Sequence, residues 1–128
     1  KGKIVVVSRD SASGTFETFN ELSLDDEKVR PDALLQASNQ AVAQTVSRTK
    51  GAIGYVGMGY LSDSVKGVAV NGVEPTKQNV IDGSYILARK LFMYTNGQPK
   101  GATAEFINFV QSDDGQKLVE KQGFIPFK

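Results

Sequence analysis

The hydrophobic positions of the chain follow two patterns, continuous apolar runs and helical spacing. Residues 3–8 are nearly all apolar, which is typical of a strand covered on both faces. Residues 15–24 carry apolar side chains at mostly helical spacing, and this predicts a helix that packs on the strand. Those side chains are Phe16, Phe19, Leu22 and Leu24. The chain therefore opens with a predicted strand, turn and helix.

The same two patterns continue after a polar loop over residues 23–31. They predict helices over residues 39–49, 76–82, 102–111 and 113–122, and strands over residues 51–57, 65–70 and 85–94. Ser38 or Asn39 is the predicted N-cap of the 39–49 helix, and Asn71 with Gly72 is a turn signal. Strands that alternate with helices predict an α/β fold with a mostly parallel sheet flanked by helices.

The most informative segment is the turn between the first strand and the first helix. Residues 9–15 read Arg-Asp-Ser-Ala-Ser-Gly-Thr. The first N–H groups of a helix lack internal partners, and the helix dipole makes that end positive, so it attracts oxyanions. Arg9 adds a planar, permanently charged group that matches two oxygens of a phosphate or sulfate. The turn therefore predicts an anion-binding site.

The composition argues against several classes of function. The 128 residues suit one ordinary domain, and a net charge of +1 provides no basic field for a nucleic acid. The chain has no cysteine and no histidine, which excludes disulfides, thiolate chemistry and Ser–His–Asp catalysis within it. Asp25, Asp26 and Glu27 form an acidic run without a second cluster that would complete a metal site. We therefore expect no enzyme activity, no metal and no cofactor.

Several segments in a fixed order resemble one family. They are residues 6–9 (Val-Val-Ser-Arg), 13–15 (Ser-Gly-Thr), 51–55 (Gly-Ala-Ile-Gly-Tyr), 91–97 (Leu-Phe-Met-Tyr-Thr-Asn-Gly), 106–110 (Phe-Ile-Asn-Phe-Val), 111–117 and 123–126. On these segments the chain resembles the periplasmic phosphate-binding proteins of bacterial phosphate ABC transporters. The resemblance runs through nearly the whole chain.

The resemblance implies a type II periplasmic-binding-protein-like lobe, one of two lobes that close on phosphate by a hinge motion. Residues 1–128 resemble the second lobe plus the C-terminal segment, with residues 84–128 as a hinge strand and the C-terminal helices. The N-terminal lobe would then be missing, and the abrupt start at Lys1 is consistent with an excised segment. We therefore expect a partial binding site.

The resemblance also implies which groups bind phosphate. Arg9 matches the family arginine that reaches phosphate oxygens. Ser13 and Thr15 match the hydroxyl donors, and Gly14 matches the backbone donor between them. Capping alone could also explain Ser13 and Thr15, since both are favoured near helix N-termini. Arg9 could instead form a surface ion pair with Asp10.

The chain departs from the family pattern just after the arginine. The family shows an acidic residue two places later, followed by glycine. Ser11 and Ala12 occupy those positions here, and the acid is Asp10. The departure leaves open how Arg9 is held and how its charge is balanced.

Several other residues near the predicted site have structural explanations. The glycines of residues 51–57 indicate close packing more than ligand contact. Asn39 could approach the ligand from its helix start, but capping is the favoured role. Tyr55, Tyr60 and Tyr94 are expected in the core or at its rim rather than as stacking surfaces.

The partners and location follow from the resemblance. It implies inorganic phosphate and a membrane permease as partners, with a periplasmic or extracellular location and a lipid anchor as an open alternative. Without the missing lobe we expect phosphate affinity on the order of millimolar, about −4 kcal/mol. Apolar side chains from residues 84–95 and the last helices should be exposed and should promote self-association. Phosphate is not distinguished from other tetrahedral anions.

Two other functions stay open. The chain could be a stand-alone anion-sensing or scaffold domain. It could, with less support, be a phosphoryl-transfer enzyme that uses Arg9 and Ser13. The Gly-x-x-x-x-Gly-Lys loop and the magnesium carboxylates of many such enzymes are missing from the sequence.

Overall fold

The computed structural model describes residues 2–127 and has three strands and five α-helices in that range. The strands are β1 (Val5–Arg9), β2 (Leu34–Gln36) and β3 (Ala52–Gly54), and the helices are α1 (Gly14–Leu24), α2 (Asn39–Arg48), α3 (Lys77–Ile81), α4 (Gly101–Gln111) and α5 (Asp113–Lys121). A 3-10 turn covers Met58–Tyr60. All five predicted helices are confirmed. The chain divides into two compact units, one ending at Ala88 and the other beginning at Arg89.

The first unit contains a parallel sheet with the strand order β2-β1-β3. Val7 on β1 pairs with Leu34 on one side and with Gly54 on the other. Because β1 lies in the middle, its side chains are covered on both faces, and Val7 and Ser8 are fully buried. The predicted first strand and the predicted parallel pairing are confirmed.

Helix α2 packs closely against this sheet. Val42 and Ala43 are the buried residues of the helix. A Cβ at Gly54 would lie 2.9 Å from Val42 Cγ1 and 2.9 Å from the carbonyl oxygen of Val7. A side chain at this position would therefore push the helix away from β3. This contact confirms the predicted packing role for Gly54.

Serine side chains set the starts of the two helices that follow β1 and β2. Ser13 Oγ accepts the Phe16 N–H at 3.3 Å, and Ser38 Oγ accepts the Ala41 N–H at 3.1 Å. Ser38 is therefore the N-cap of α2, and Asn39 is the first helical residue. The capping role favoured for Asn39 is wrong, because the hydroxyl of Ser38 already satisfies that end of the helix.

The strand predicted over residues 65–70 is wrong. Of these residues, Val70 alone pairs, in an isolated antiparallel bridge with Val73. Asn71 and Gly72 between them have φ angles of 52° and 81°, and positive values at both central residues are what a tight two-residue hairpin turn requires. The turn signal is confirmed, but the backbone reverses after a single pair, so no strand extends from it.

The strand predicted over residues 85–94 is also wrong. No strand within residues 2–127 includes this segment. A strand needs a hydrogen-bonded neighbour, and an apolar composition does not supply one. Tyr94 is 91% exposed and Phe92 is 69% exposed. The hinge role and the lobe boundaries expected for residues 84–128 stay predictions.

The second unit contains α4 and α5. Gln116 on α5 is buried and joins two segments: its Nε2 donates to the Val110 carbonyl at 2.8 Å and its Oε1 accepts the Phe127 N–H at 3.1 Å. Five phenylalanines of the unit are exposed, namely Phe92, Phe106, Phe109, Phe124 and Phe127. The unit therefore presents apolar surface around a small, hydrogen-bonded centre.

Candidate anion-binding site

The predicted turn lies at the carboxyl end of the sheet in the first unit. Arg9 is the last residue of β1 and pairs with Gln36, the last residue of β2. The chain then turns through residues 10–13 and begins α1 at Gly14. Ligands of open parallel α/β sheets bind at this edge, because the helices that follow the strands start there.

The turn itself is closed by hydrogen bonds from Asp10. Its Oδ1 accepts the Ala12 N–H at 3.1 Å, and its carbonyl oxygen accepts the Ser13 N–H at 3.2 Å. An aspartate that bonds its own backbone two residues on is a common turn former. Asp10, the acidic residue whose position departs from the family pattern, therefore stabilises the turn.

The first two N–H groups of α1 stay available at the end of this turn. Ser13 Oγ takes the Phe16 N–H, whereas the N–H groups of Gly14 and Thr15 have no acceptor among residues 2–127. Gly14 and Thr15 are half-buried, and Ser13 is 5% exposed. The Ser13 hydroxyl accepts as a cap, and its own hydrogen remains a donor. The helix start thus offers two amides and up to two hydroxyls.

The guanidinium of Arg9 is held by the connection between β2 and α2. Nε donates to the Gln36 carbonyl at 3.2 Å, Nη1 to Asn39 Oδ1 at 3.1 Å and Nη2 to the Ala37 carbonyl at 3.1 Å. The side chain is only 13% exposed, and Asp10 Oδ2 lies 3.9 Å from Nη2. The predicted contact with Asp10 is present, but it is long, so the neighbouring connection holds the side chain.

The hydroxyl of Tyr55, just after β3, joins the backbone of β1 to this arrangement. It lies 2.7 Å from Ser8 Oγ and accepts the Arg9 N–H at 3.1 Å. Its ring stacks on Phe19 of α1, with ring centroids 4.0 Å apart. Tyr55 is half-buried, which agrees with a place at the rim of the core, and it also fixes the end of β1 against α1.

The structure thus brings the four predicted ligand residues to one edge of the sheet. The surroundings of Arg9 differ from those of the other three. Ser13, Gly14 and Thr15 form the start of α1. The hydrogen bonds of the Arg9 guanidinium go to the β2–α2 connection and not to residues 13–15. Sequence reasoning missed this connection, because β2 is three residues long and two of them are exposed. Only the knowledge that β2 pairs in parallel with β1 would have placed the connection after β2 beside Arg9.

Residues 2–127 contain no group of three or more acidic, histidine or cysteine side chains placed to hold a metal ion. Among the same residues, no helix has the length and apolar character that crossing a membrane requires.

Comparison with known proteins identifies the family. The family model of the PBP superfamily domain matches residues 1–114, a range that includes β1, the turn and α1. The chain belongs to the PBP superfamily. Its parallel sheet flanked by helices is the type II lobe architecture expected from the sequence.

Relatives of this PBP-superfamily chain carry names that refer to phosphate. It is 34% identical to the phosphate-binding protein PstS of Borreliella burgdorferi over 98% of this chain and 50% of the relative. It is 37% identical to PstS of Pseudomonas aeruginosa over 98% of this chain and 42% of the relative. The chain therefore spans about half the length of the curated relatives it matches.

A solved structure shows the same fold. A Clostridium perfringens protein, assigned as the substrate-binding protein of a phosphate ABC transporter and crystallised with bound phosphate, superposes with a TM-score of 0.83 at 34% identity. The match covers 99% of this chain and 53% of that protein. The resemblance to phosphate-binding proteins seen in the sequence is thus confirmed at the level of fold and sequence.

Proposed function

We propose that this chain binds inorganic phosphate as part of the solute-binding component of a phosphate ABC importer. The observation that carries the proposal is its similarity, over 98% of its length, to proteins named phosphate-binding protein PstS. The free amides at the positive end of α1 support it, because such groups are complementary to an oxyanion.

The ligand groups in this proposal are Arg9, Ser13, Gly14 and Thr15. Gly14 and Thr15 donate their N–H groups, and the hydroxyls of Ser13 and Thr15 donate to further oxygens. Arg9 has five N–H donors, and three are used within the protein, so two are left for the anion. The set consists of donors, as an anion of high charge density requires.

The wider assignments belong to the same proposal. The chain acts by binding and not by catalysis, delivers phosphate to a membrane permease and works in the periplasm or outside the cell. Similarity to transporter binding proteins supports these assignments. The absence of histidine and cysteine removes the commonest catalytic side chains.

A titration tests the proposal. Phosphate added to the chain should bind with a dissociation constant on the order of millimolar, because one lobe supplies only some of the hydrogen bonds. Arg9→Lys should weaken binding at least about tenfold, since the lysine ammonium lacks the planar fork. Calorimetry or NMR titration measures both.

The control for the charge is Arg48→Lys, at the exposed end of α2. It keeps the net charge and the type of substitution but lies outside the proposed ligand set, so binding should be unchanged. An equal loss in both variants, or no response of residues 13–15 to saturating phosphate, would contradict the proposed site.

A further inference from the structure

We infer that Asn39 is a positioning residue for phosphate, acting through Arg9, which it orients without neutralising. The inference rests on the proposed function, because it assigns the role of Asn39 to that same site. Asn39 is the first residue of α2, and its side-chain oxygen lies 3.1 Å from Arg9 Nη1.

The orientation of Arg9 is defined by three hydrogen bonds from three different nitrogens. A guanidinium is planar, so bonds from Nε, Nη1 and Nη2 leave it no rotation about its own axis. Two acceptors are the carbonyls of Gln36 and Ala37, which no side-chain substitution removes. The third acceptor is the side-chain amide of Asn39. It is therefore the one acceptor of the three that a substitution can remove.

The identity of the contacting atom follows from chemistry. Both groups of the Arg9 fork are donors, so the Asn39 atom that faces Nη1 is the amide oxygen and not the nitrogen. The opposite side of the amide faces Gly57, where an added Cβ would lie 3.7 Å from Asn39 Nδ2. Asn39 is half-buried between these neighbours, so its rotamer is restricted.

The neutrality of the amide is the second part of the inference. A carboxylate at this position would accept the same hydrogen bond, but it would offset the charge that attracts the anion. Asp10 Oδ2, at 3.9 Å from Nη2, is the acidic group already paired with Arg9. A neutral acceptor at position 39 leaves most of the positive charge of Arg9 for phosphate.

Asn39 is free for this role because another residue caps α2. Ser38 Oγ accepts the Ala41 N–H, so the helix start does not depend on the Asn39 side chain. The backbone of Arg9 is fixed separately, by the hydroxyl of Tyr55. Removing the Asn39 amide should therefore loosen the guanidinium while the helix and the strand stay in place.

The test compares Asn39→Ala and Asn39→Asp with the wild-type chain, and uses Gln40→Ala as a matched control. Gln40 is the next residue of α2 and is exposed. Phosphate affinity is measured by NMR titration, and thermal unfolding is recorded for each variant. The NMR signal of the Arg9 Nε–H reports directly on the order of the guanidinium.

Asn39→Ala should weaken phosphate binding about tenfold and broaden or shift the Arg9 Nε–H signal, since a hydrogen bond to a charged group is lost. In an Arg9→Lys background the same substitution should cost little more, because two residues that act through one group are not additive. Asn39→Asp should also weaken phosphate binding, but should leave the Nε–H signal ordered. Gln40→Ala should match the wild type in both measurements.

Three results would overturn the inference. They are an unchanged Arg9 Nε–H signal in Asn39→Ala, an undiminished loss in the Arg9→Lys background, and wild-type affinity in Asn39→Asp. If the wild-type chain binds no phosphate, the proposed function fails and the role in binding fails with it. The Nε–H comparison then still decides whether Asn39 orients Arg9.

Discussion

Single hydroxyl and amide groups connect the elements around the turn. The Tyr55 hydroxyl contacts both the Ser8 hydroxyl and the Arg9 N–H, and the Tyr55 ring stacks on Phe19. Ser8 is fully buried, so its hydroxyl has no water to replace a lost partner. At this scale the end of β1 depends on polar contacts, and water cannot replace the one that the buried Ser8 makes with Tyr55.

Tyr55→Phe tests this dependence. The substitution keeps the ring stack on Phe19 but removes the acceptor of the Arg9 N–H and one partner of Ser8. The free energy of unfolding should fall by about 1–3 kcal/mol, the cost of leaving buried polar groups unpaired. Urea denaturation measures it. Tyr60→Phe is the control, because Tyr60 is 39% exposed and its loss of a hydroxyl should be nearly neutral. An equal loss of unfolding free energy in both variants would show that the hydrogen bonds of Tyr55 do not stabilise the chain more than an exposed hydroxyl does.

The elements of the first unit meet through small residues and capped helix ends. Gly54 allows α2 to approach β3, and Ser13 and Ser38 start the helices at the edge of the sheet. The approach of α2 places the β2–α2 connection where Arg9 can donate to it. The packing of Val42 on the sheet and the hydrogen bond from Arg9 to Asn39, at the start of the same helix, thus belong to one arrangement.

Gly54→Ala should destabilise the first unit by about 1–3 kcal/mol, the usual cost of overpacking a core. The added Cβ would contact Val42 Cγ1 and the Val7 carbonyl at 2.9 Å, and the backbone atom cannot move aside. Thermal or urea unfolding measures the change. Gly57→Ala is the matched control, because its nearest neighbours would lie 3.7 Å away. A Gly54→Ala chain as stable as Gly57→Ala would contradict the packing argument.

Ser13→Ala separates capping from ligand binding. Loss of the cap on α1 should cost about 0.5–2 kcal/mol of stability. If Ser13 also donates to phosphate, affinity should fall as well. Thr76→Ala removes a comparable cap, since Thr76 Oγ1 accepts the Asn79 N–H at 3.2 Å. It should reduce stability of α3 without changing phosphate affinity, and a Ser13→Ala chain that keeps full affinity would limit Ser13 to capping.

The whole molecule consists of two compact units with different surfaces. The first unit has its core around Val7, Val42 and Ala43. The second unit, including the segment that leads into α4, exposes many large apolar side chains. These include Leu91, Phe92, Met93, Tyr94, Phe106, Phe109, Leu118, Phe124 and Phe127. Large apolar side chains exposed to water favour association with another surface.

The chain should therefore self-associate as its concentration rises. Sedimentation velocity should show a concentration-dependent increase in mass. A Leu91→Ser, Phe92→Ser double variant should reduce it, because both side chains are more than 60% exposed, at 66% and 69%. Val68→Ser is the control in the first unit, where Val68 is 58% exposed. A strict monomer at every concentration would contradict the prediction.

Comparison of particular elements shows which kinds of information the sequence carries. The helix over residues 39–49 and its cap region, the turn at Asn71 and Gly72, and the strand–turn–helix of residues 3–24 were predicted because each depends on neighbours in sequence. The strand over 85–94 was predicted wrongly, because its apolar run was read as a strand without a pairing partner. The contact between Asn39 and Arg9 was missed because the two residues lie thirty positions apart in the sequence.

By itself, the sequence determined the local conformations and the types of chemical group in this protein. Ser13, Gly14 and Thr15 start a helix whose first two amides have no acceptor among residues 2–127, and Arg9 places a permanent positive charge at the same turn. The tertiary structure alone decided which distant groups meet: β2 pairs with β1, and its connection to α2 holds Arg9. The physical reason is that a turn or cap is closed by hydrogen bonds over a few residues. The setting of Arg9 instead depends on packing that brings separate parts of the chain together.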